Sequence, residues 1–215
     1  KEANNRYPVG PPYLATARDM HKIAKTWSEF VPKVHAEHPK LLAEMFAFCI
    51  AAAHLELPHQ IVESLMVSNV PAGKASAGEG WALVDHVDDS HVCAPDNDFG
   101  GAVLPSVLHL CQRYMVDKWF FGKRRVPHNI FDCDAPLLKE APKDLASYGL
   151  EFTPPGSKDL KSHSSQTQVR RNAFMICTLT NAVNEAAMFY QEHNCENKSK
   201  PAERMNLWSK EVEKM

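Results

Sequence analysis

One segment of the chain is apolar around the whole circumference of the helix it can form, yet it contains a carboxylate. In residues 40 to 54, apolar side chains cover every side, and Glu44 is the only acidic residue. A helix that is apolar all round is normally buried in a larger core. Because an unpaired buried carboxylate is costly or shifts its pKa, we expect Glu44 to have a partner. That partner is a structural cation or backbone amide in one interpretation, and a metal's outer shell or a substrate in the other.

The length and net charge of the chain limit the classes of protein to which it can belong. The chain has 215 residues and a formal net charge of −2, which suits one domain or one and a half and argues against a nucleic-acid groove. Its longest apolar run ends at His54, short of the roughly 18 residues that a membrane helix requires. We therefore expect no nucleic acid as a partner, and membrane attachment only through segments outside this sequence. The sequence starts at Lys1 without a signal pattern, which is typical of a fragment or a processed product.

The cysteines and one sequon bear on the cellular compartment. The six cysteines lie far apart with no CxxC pair, so the spacing of a zinc ribbon or a thioredoxin-like site is missing. Their even number permits disulfides without fixing a pairing. Asn197 begins an Asn-Lys-Ser sequon, which is used only in the secretory pathway.

Periodicity predicts alternating helical and extended segments. Thr16 is expected to cap a first helix, Pro32 and Pro39 to bound the connection to the Glu44 helix, and Pro58 to close that second helix. The elements that follow are a strand over 60–68, a loop over 69–80, an extended segment over 81–87, a strand over 104–110, a long helix from a capping box at Ser165, and a helical tail over 196–215.

His109 lies late in the second predicted strand and is followed closely by cations and an aromatic residue. The cations and the aromatic residue are Lys118, Trp119, Lys123, Arg124 and Arg125. Imidazole and cationic side chains at one strand end are suited to an anion or a metal-bound phosphate. A core histidine beside a basic surface loop explains the same spacing equally well.

Two other candidate metal motifs are assigned to ordinary structure. His35 and His38 lie one turn apart among charged and turn-forming residues, which favours a solvated helix end. Asp132 and Asp134 flank Cys133 in a loop before Pro136. A divalent ion needs further converging oxygens, so we do not expect this pair to hold a metal.

Several blocks of sequence together resemble one family. The blocks are Tyr7-Pro-Val-Gly-Pro-Pro-Tyr13, Leu41-Leu-Ala-Glu-Met-Phe46, Met66-Val-Ser68, Glu79-Gly-Trp81, Leu108-His-Leu-Cys-Gln-Arg-Tyr114 and Lys118-Trp-Phe-Phe121. In this order they resemble the plant-type peptidyl serine α-galactosyltransferases and, more distantly, the hydroxyproline O-arabinosyltransferases. The resemblance covers nearly all of residues 7 to 195.

The resemblance implies an α/β fold, namely the C-terminal half of a GT-A-like, Rossmann-like nucleotide-sugar transferase domain over 1–195 with a long C-terminal helix. It implies an enzyme, a retaining glycosyltransferase that moves a sugar from a UDP-sugar to serine or hydroxyproline of hydroxyproline-rich cell-wall or cell-surface glycoproteins. The implied location is the lumen of the endoplasmic reticulum or Golgi. The implied partners are the UDP-sugar, the acceptor glycoprotein and an N-terminal half of the domain that precedes this sequence.

The resemblance also implies roles for individual residues. Glu44 would face the reacting sugar, where a carboxylate hydrogen-bonds hydroxyls or stabilises positive charge at the anomeric carbon. His109 would be a ligand on the side of the metal and diphosphate, with manganese as the divalent ion that neutralises the leaving group. Donor binding would involve Gly10, Pro11, Lys118, Trp119, Lys123 and Arg124.

Two alternatives to this transferase stay open. One is a non-catalytic protein that keeps the fold in order to bind a glycoprotein or to act as a scaffold. The other is an unrelated helical domain in which Glu44 is structural.

Overall fold

A computed structural model of the protein describes residues 6–8, 10, 12–39, 42–71, 78–94, 99–116, 118–143, 166–196 and 204–207. The chain divides into two compact units, an N-terminal unit Lys1–Val62 and a C-terminal unit Glu63–Met215. The described elements in chain order are α1 Ala17–Glu37, α2 Ala43–His54, β1 Met66–Val67, α3 Trp81–Asp85, β2 Val107–Leu108, β3 Tyr114–Val116, β4 Trp119–Phe121 and α4 Gln166–Asn194. Within the described ranges, none of the helices combines the length and the hydropathy of a bilayer-spanning segment.

The first helix of the N-terminal unit begins as predicted. The Thr16 hydroxyl accepts a hydrogen bond from the Asp19 amide at 3.2 Å, and the acidic Asp19 lies in the first turn. The prediction that Pro32 ends this helix is wrong, since α1 continues to Glu37. Pro32 and the residue one turn before it, Ser28, are both exposed, so water can reach the carbonyl that proline leaves without an amide donor.

Helix α2 is buried on one side only, so the prediction of a helix buried all round is wrong. Its buried residues are Ala43, Ala47, Phe48, Cys49, Ala51 and Ala52. Phe48 stacks on Tyr13 at a ring separation of 3.9 Å and meets the edge of Trp27 at 5.6 Å. Phe46 and Ile50 are exposed, so in the described part of the unit one stripe of the helix stays open to solvent.

The C-terminal unit contains two separate pairs of short strands. Strands β1 and β2 are parallel, with Met66 opposite Val107 and Val67 opposite Leu108. Strands β3 and β4 form an antiparallel hairpin in which Tyr114 is opposite Phe121. The strands predicted over 60–68 and 104–110 are thus present as two-residue segments. Helices with few short strands make up the described fold, and its relation to half of a GT-A domain stays a prediction.

Residues 81 to 85 form a helix, so the extended segment predicted there is wrong. Trp81 and Val84 are both buried, and their spacing of three residues places them on one face of a helix. Asp85, at the end of α3, binds Arg171 of α4. The apolar and β-branched composition of this segment favours a strand, but packing on the core overrides that preference.

The predicted long helix is confirmed as α4, which supplies many of the buried residues of the C-terminal core. Phe174, Met175 and Ile176 are buried there. The disulfide Cys93–Cys177 attaches a loop to the helix, and Cys133–Cys195 attaches a second loop to the residue directly after the helix. The predicted capping residue Ser165 lies outside the described residues.

The predicted helical tail is described only in part. Residues 204 to 207 are not helical, and Met205 instead pairs with Leu138 in an isolated parallel bridge. Most of the predicted tail over 196–215 lies outside the described residues.

Candidate functional site at the carboxyl edge of the parallel strands

The parallel pairing of β1 and β2 brings two polar segments to one edge. Ser68 and Asn69 follow β1, and His109 follows β2, whose register is continued by a hydrogen bond from the His109 amide to the Val67 carbonyl at 2.9 Å. In open α/β sheets, ligands bind outside the carboxyl ends of parallel strands. We call this region the carboxyl edge, and it is the candidate functional site.

Glu79 organises the carboxyl edge through hydrogen bonds from four described donors. Its carboxylate accepts from the Ser68 amide at 2.5 Å, the Asn69 amide at 2.9 Å, the Asn69 side-chain nitrogen at 3.1 Å and the Trp81 indole nitrogen at 2.8 Å. Hydrogen bonds to a charged acceptor are about twice as strong as neutral ones. Glu79 therefore satisfies donors that the end of β1 would otherwise leave without partners.

The close packing of the loop that carries Glu79 depends on Gly80. The Gly80 amide donates to the Met66 carbonyl at 2.7 Å. A Cβ atom at this position would lie 3.2 Å from both the Glu63 carbonyl oxygen and the Pro105 ring. Glycine thus lets the loop approach β1 closely enough for the neighbouring carboxylate to reach the backbone.

A second layer of polar side chains supports the same edge. The Gln112 side-chain nitrogen donates to the Ser68 carbonyl at 3.3 Å. The Tyr114 hydroxyl lies 3.2 Å from that carbonyl and 3.1 Å from the His109 carbonyl. Burial, together with the charges of Cys111 and Glu79, raises the pKa of Tyr114 far above its ordinary value, so its hydroxyl stays a neutral donor. The backbone at both strand ends is therefore fixed from two sides.

Arg171 of α4 anchors the elements around this edge. Its guanidinium binds the Asp85 carboxylate through two hydrogen bonds of 2.9 and 2.5 Å, and a third bond of 3.3 Å reaches the Val70 carbonyl. The same guanidinium lies 5.0 Å from the centre of the Trp81 ring. Bidentate pairing and stacking on an indole both require the planar arginine group. Arg171 thus connects α4 to α3 and to the chain just after β1.

The residues predicted to bind the donor lie in different environments. His109 is half-buried at the carboxyl edge, whereas Lys118, Lys123 and Arg124 are exposed around the β3–β4 hairpin. Trp119 is buried in the core of the unit, with the Lys139 ammonium 5.6 Å from its ring centre. The ring therefore already has packing partners, and its stacking on a base or sugar stays a prediction.

Glu44 is exposed, so the prediction that this carboxylate is buried is wrong. It lies in the first turn of α2, where a negative charge interacts favourably with the helix dipole. Its side chain makes no hydrogen bond or ion pair in the described part of the chain, although its backbone carbonyl accepts from the Trp27 indole at 2.7 Å. Glu44 is therefore not an unpaired buried charge. Its role beside a sugar stays a prediction from the resemblance.

The remaining predicted residues belong to the N-terminal unit or lie outside the described residues. Gly10 has a φ of 145°, a conformation that glycine adopts readily, and its amide donates to the Tyr13 hydroxyl at 2.9 Å. Pro11 and Asn197 lie outside the described residues. No three His, Cys, Asp or Glu side chains converge among the residues that the structure describes, so the metal-binding role of His109 stays a prediction.

The sequence alone did not identify Glu79 as the organising carboxylate, although Glu79 begins one of the blocks that resemble the transferase family. The available signal was its position between two glycines directly before a tryptophan. Glycines let a loop approach the backbone of a neighbouring strand, and a carboxylate between them is well placed to accept from free amides there.

No family model, no curated protein and no solved structure matches this chain. The family is therefore a proposal that rests on the residue blocks and on the geometry of the carboxyl edge.

Proposed function

We propose that this chain is part of a retaining glycosyltransferase that moves a sugar from a UDP-sugar to serine or hydroxyproline of hydroxyproline-rich glycoproteins. The observation that carries the proposal is the parallel pair β1–β2, whose carboxyl ends bring His109 beside a fixed polar backbone. Nucleotide ligands of α/β enzymes bind at such an edge. The family resemblance supplies the reaction class.

His109 is proposed to act on the diphosphate side of the donor. As a half-buried imidazole at the end of β2, it fits a nitrogen ligand of a divalent ion, for which we propose manganese. The bound ion would neutralise the leaving diphosphate. Because His109 is a single ligand, the oxygen ligands are proposed to come from the N-terminal half of the domain that precedes this sequence.

The exposed cations and Glu44 complete the proposed roles. Lys118, Lys123 and Arg124 are free to approach an anionic donor because all three are exposed. The exposure of Glu44 leaves its carboxylate accessible to a sugar hydroxyl. Donor contacts of Gly10, Pro11 and Trp119 are proposed from the resemblance alone.

The disulfides support a secretory location for the proposed enzyme. Cys93–Cys177 joins α4 to one loop, and Cys133–Cys195 joins the residue after α4 to another. Structural disulfides persist in oxidising compartments. The sequon at Asn197 agrees with that environment. We therefore propose the lumen of the endoplasmic reticulum or Golgi.

Thermal unfolding with UDP and manganese tests the proposal. Measured on the chain together with the proposed N-terminal half, saturating UDP and manganese should raise the Tm by about 5 °C, because ligands that bind only the folded state stabilise it. His109→Ala should abolish most of this shift. His128→Ala, which changes an exposed histidine of the same unit, should leave it intact.

Two results would contradict this function. An unchanged Tm in UDP and manganese would argue against a nucleotide-sugar enzyme, and an equal response of the two histidine variants would remove His109 from the site. Binding of a hydroxyproline-rich peptide without any response to UDP and manganese would favour the alternative, a non-catalytic glycoprotein-binding protein.

A further inference from the structure

A group of exposed aromatic side chains lies at the C-terminal end of α4, next to a loop with two carboxylates. Phe131 is 42% exposed, Phe189 63% and Tyr190 45%. Large aromatic residues that are exposed together, rather than singly, mark interaction surfaces. The surface, which we call the aromatic–acidic patch, consists of Phe131, Asp132, Asp134, Phe189, Tyr190 and His193.

The aromatic–acidic patch is held in one arrangement by several independent contacts. The rings of Phe131 and Tyr190 meet edge to face at 5.7 Å, and those of Phe189 and His193 stack at 4.1 Å. The Gln191 side chain donates to the carbonyls of the loop, at 3.0 Å to Asp132 and 3.3 Å to Ala135. The disulfide Cys133–Cys195 joins the same loop to the residue after α4. A surface fixed in this way loses little conformational entropy when it binds.

The segments that form this patch carry carboxylates and, with His128 and His193 neutral, no cation of their own, although Arg125, Lys139 and Arg171 directly flank them. The two segments that form it, residues 126–138 and 172–196, contain five carboxylates and neither lysine nor arginine. The carboxylates belong to Asp132, Asp134, Glu185, Glu192 and Glu196, and all five residues are exposed. Asp132 and Asp134 form no ion pair with a described residue. Aromatic faces and free carboxylates both attract cations.

We infer that the aromatic–acidic patch binds a basic segment of a partner protein, with lysine or arginine side chains over the rings of Phe189 and Tyr190 and beside the carboxylates of Asp132 and Asp134. A second copy of the chain is a poorer occupant, because a two-fold symmetric contact would bring like charges together. An anionic ligand meets the same repulsion. The inference does not depend on the proposed glycosyltransferase function.

Peptide binding to the whole chain tests this inference. We expect a fluorescent peptide of alternating lysine and alanine to bind, a peptide of the same length with glutamate in place of lysine not to bind, and the affinity for the lysine peptide to fall with salt. Phe189→Ala and Tyr190→Ala should each weaken binding roughly two- to fivefold, which is the size of an exposed cation–π contact. The double change D132N/D134N should weaken it by a similar factor.

Matched controls and a second measurement keep the test decisive. Val103→Ala and Glu63→Gln, which change exposed residues of the same unit outside the patch, should leave binding unchanged. If an aromatic replacement disturbs folding, the charge-only D132N/D134N variant decides. Equal binding of the two peptides, or full affinity in all patch variants, would overturn the inference. A concentration-dependent dimer that the patch variants abolish would assign the surface to self-association and overturn it as well.

Discussion

The two units of the chain hold their central carboxylates in opposite ways. In the N-terminal unit, Glu44 lies in the first turn of α2, surrounded in sequence by apolar residues, and its carboxylate is exposed. In the C-terminal unit, Glu79 lies in a glycine-containing loop, and its carboxylate accepts hydrogen bonds from four described donors at the end of β1. The free donors of a strand end, more than the hydrophobicity of sequence neighbours, determine where a carboxylate acquires partners.

The units also differ in covalent connection. The C-terminal unit contains both disulfides, whereas the cysteine of the N-terminal unit, Cys49, is a buried free thiol. In its described part, the N-terminal unit depends on the packing of α1 against α2 and on a small aromatic core. The C-terminal unit adds covalent links and the Glu79 network to its core. We therefore expect perturbations to act on one unit at a time.

Removing the buried disulfide should have the largest effect and should act on the C-terminal unit. The Cys93–Cys177 bond closes a loop with a sequence separation of 84, and loss of such a link costs about 3 to 5 kcal/mol. C93A/C177A should lower the free energy of unfolding by that amount. Hydrogen exchange should accelerate in peptides from residues 63 to 215 and stay unchanged in those from residues 1 to 62. Equal acceleration in both units would show that they are not independent.

Glu79→Gln should have the next largest effect. The amide retains one acceptor oxygen and presents an NH₂ group to donors, so at least one of the four bonds becomes repulsive. We expect a loss of about 2 to 3 kcal/mol in urea unfolding with the disulfides intact. Glu63→Gln, at an exposed glutamate near the start of the same unit, should cost less than about 0.5 kcal/mol. Similar stabilities for the two variants would contradict the organising role of Glu79.

High pH should instead weaken the N-terminal unit. Burial raises the pKa of Tyr13 to about 12; the hydrogen bond from the Gly10 amide opposes this rise, and Cys49 adds to it. Because the folded pKa exceeds the unfolded value, the stabilisation is complete below pH 10 and is lost as the pH rises toward 12. Since the ring is only half-buried, we expect a loss of about 1 kcal/mol. Tyr13→Phe should reduce this pH dependence in residues 1 to 62, as followed by hydrogen exchange, and the Cys49 thiol, whose pKa burial also raises, should account for the remainder; an undiminished dependence would assign it to another group.

Glu44→Gln should have the smallest effect on stability. An exposed carboxylate in a first helical turn contributes about 0.5 kcal/mol through the helix dipole, so the Tm should change little. If the proposed role beside the sugar holds, the same variant should lose sugar transfer in an assay of the complete protein. Full transfer activity would leave Glu44 with the helix-dipole contribution alone.

The sequence predicted those features that depend on local signals. The Thr16 cap follows from a capping residue, and the long helix α4 follows from a sustained helical period; the cap and the helix are both confirmed. The prediction at Pro32 was wrong because a helix can continue through a proline when water reaches the backbone carbonyl that loses its amide donor. The prediction for Trp81–Asp85 was wrong because the sequence of a short apolar run fits a strand and a helix equally well.

The features that could not be predicted depend on contacts between distant residues. The exposure of Glu44 depends on how many elements surround α2, which local periodicity does not encode. The pairing of Cys93 with Cys177 joins residues far apart in the sequence, and the spacing of six cysteines left it open. The Glu79 network required the end of β1 and the loop at Gly80 to be close in space.

Cys111 is a native site at the carboxyl edge to which a fluorescent label can be attached. Its thiol is exposed and contacts the Ser68 hydroxyl, whereas burial raises the pKa of the Cys49 thiol and the other four cysteines are in disulfides. Thiolates react with maleimides, so one native residue of the unmodified chain should take up a fluorophore under non-reducing conditions. Its emission would then follow any nucleotide, metal or peptide that enters the space beside His109.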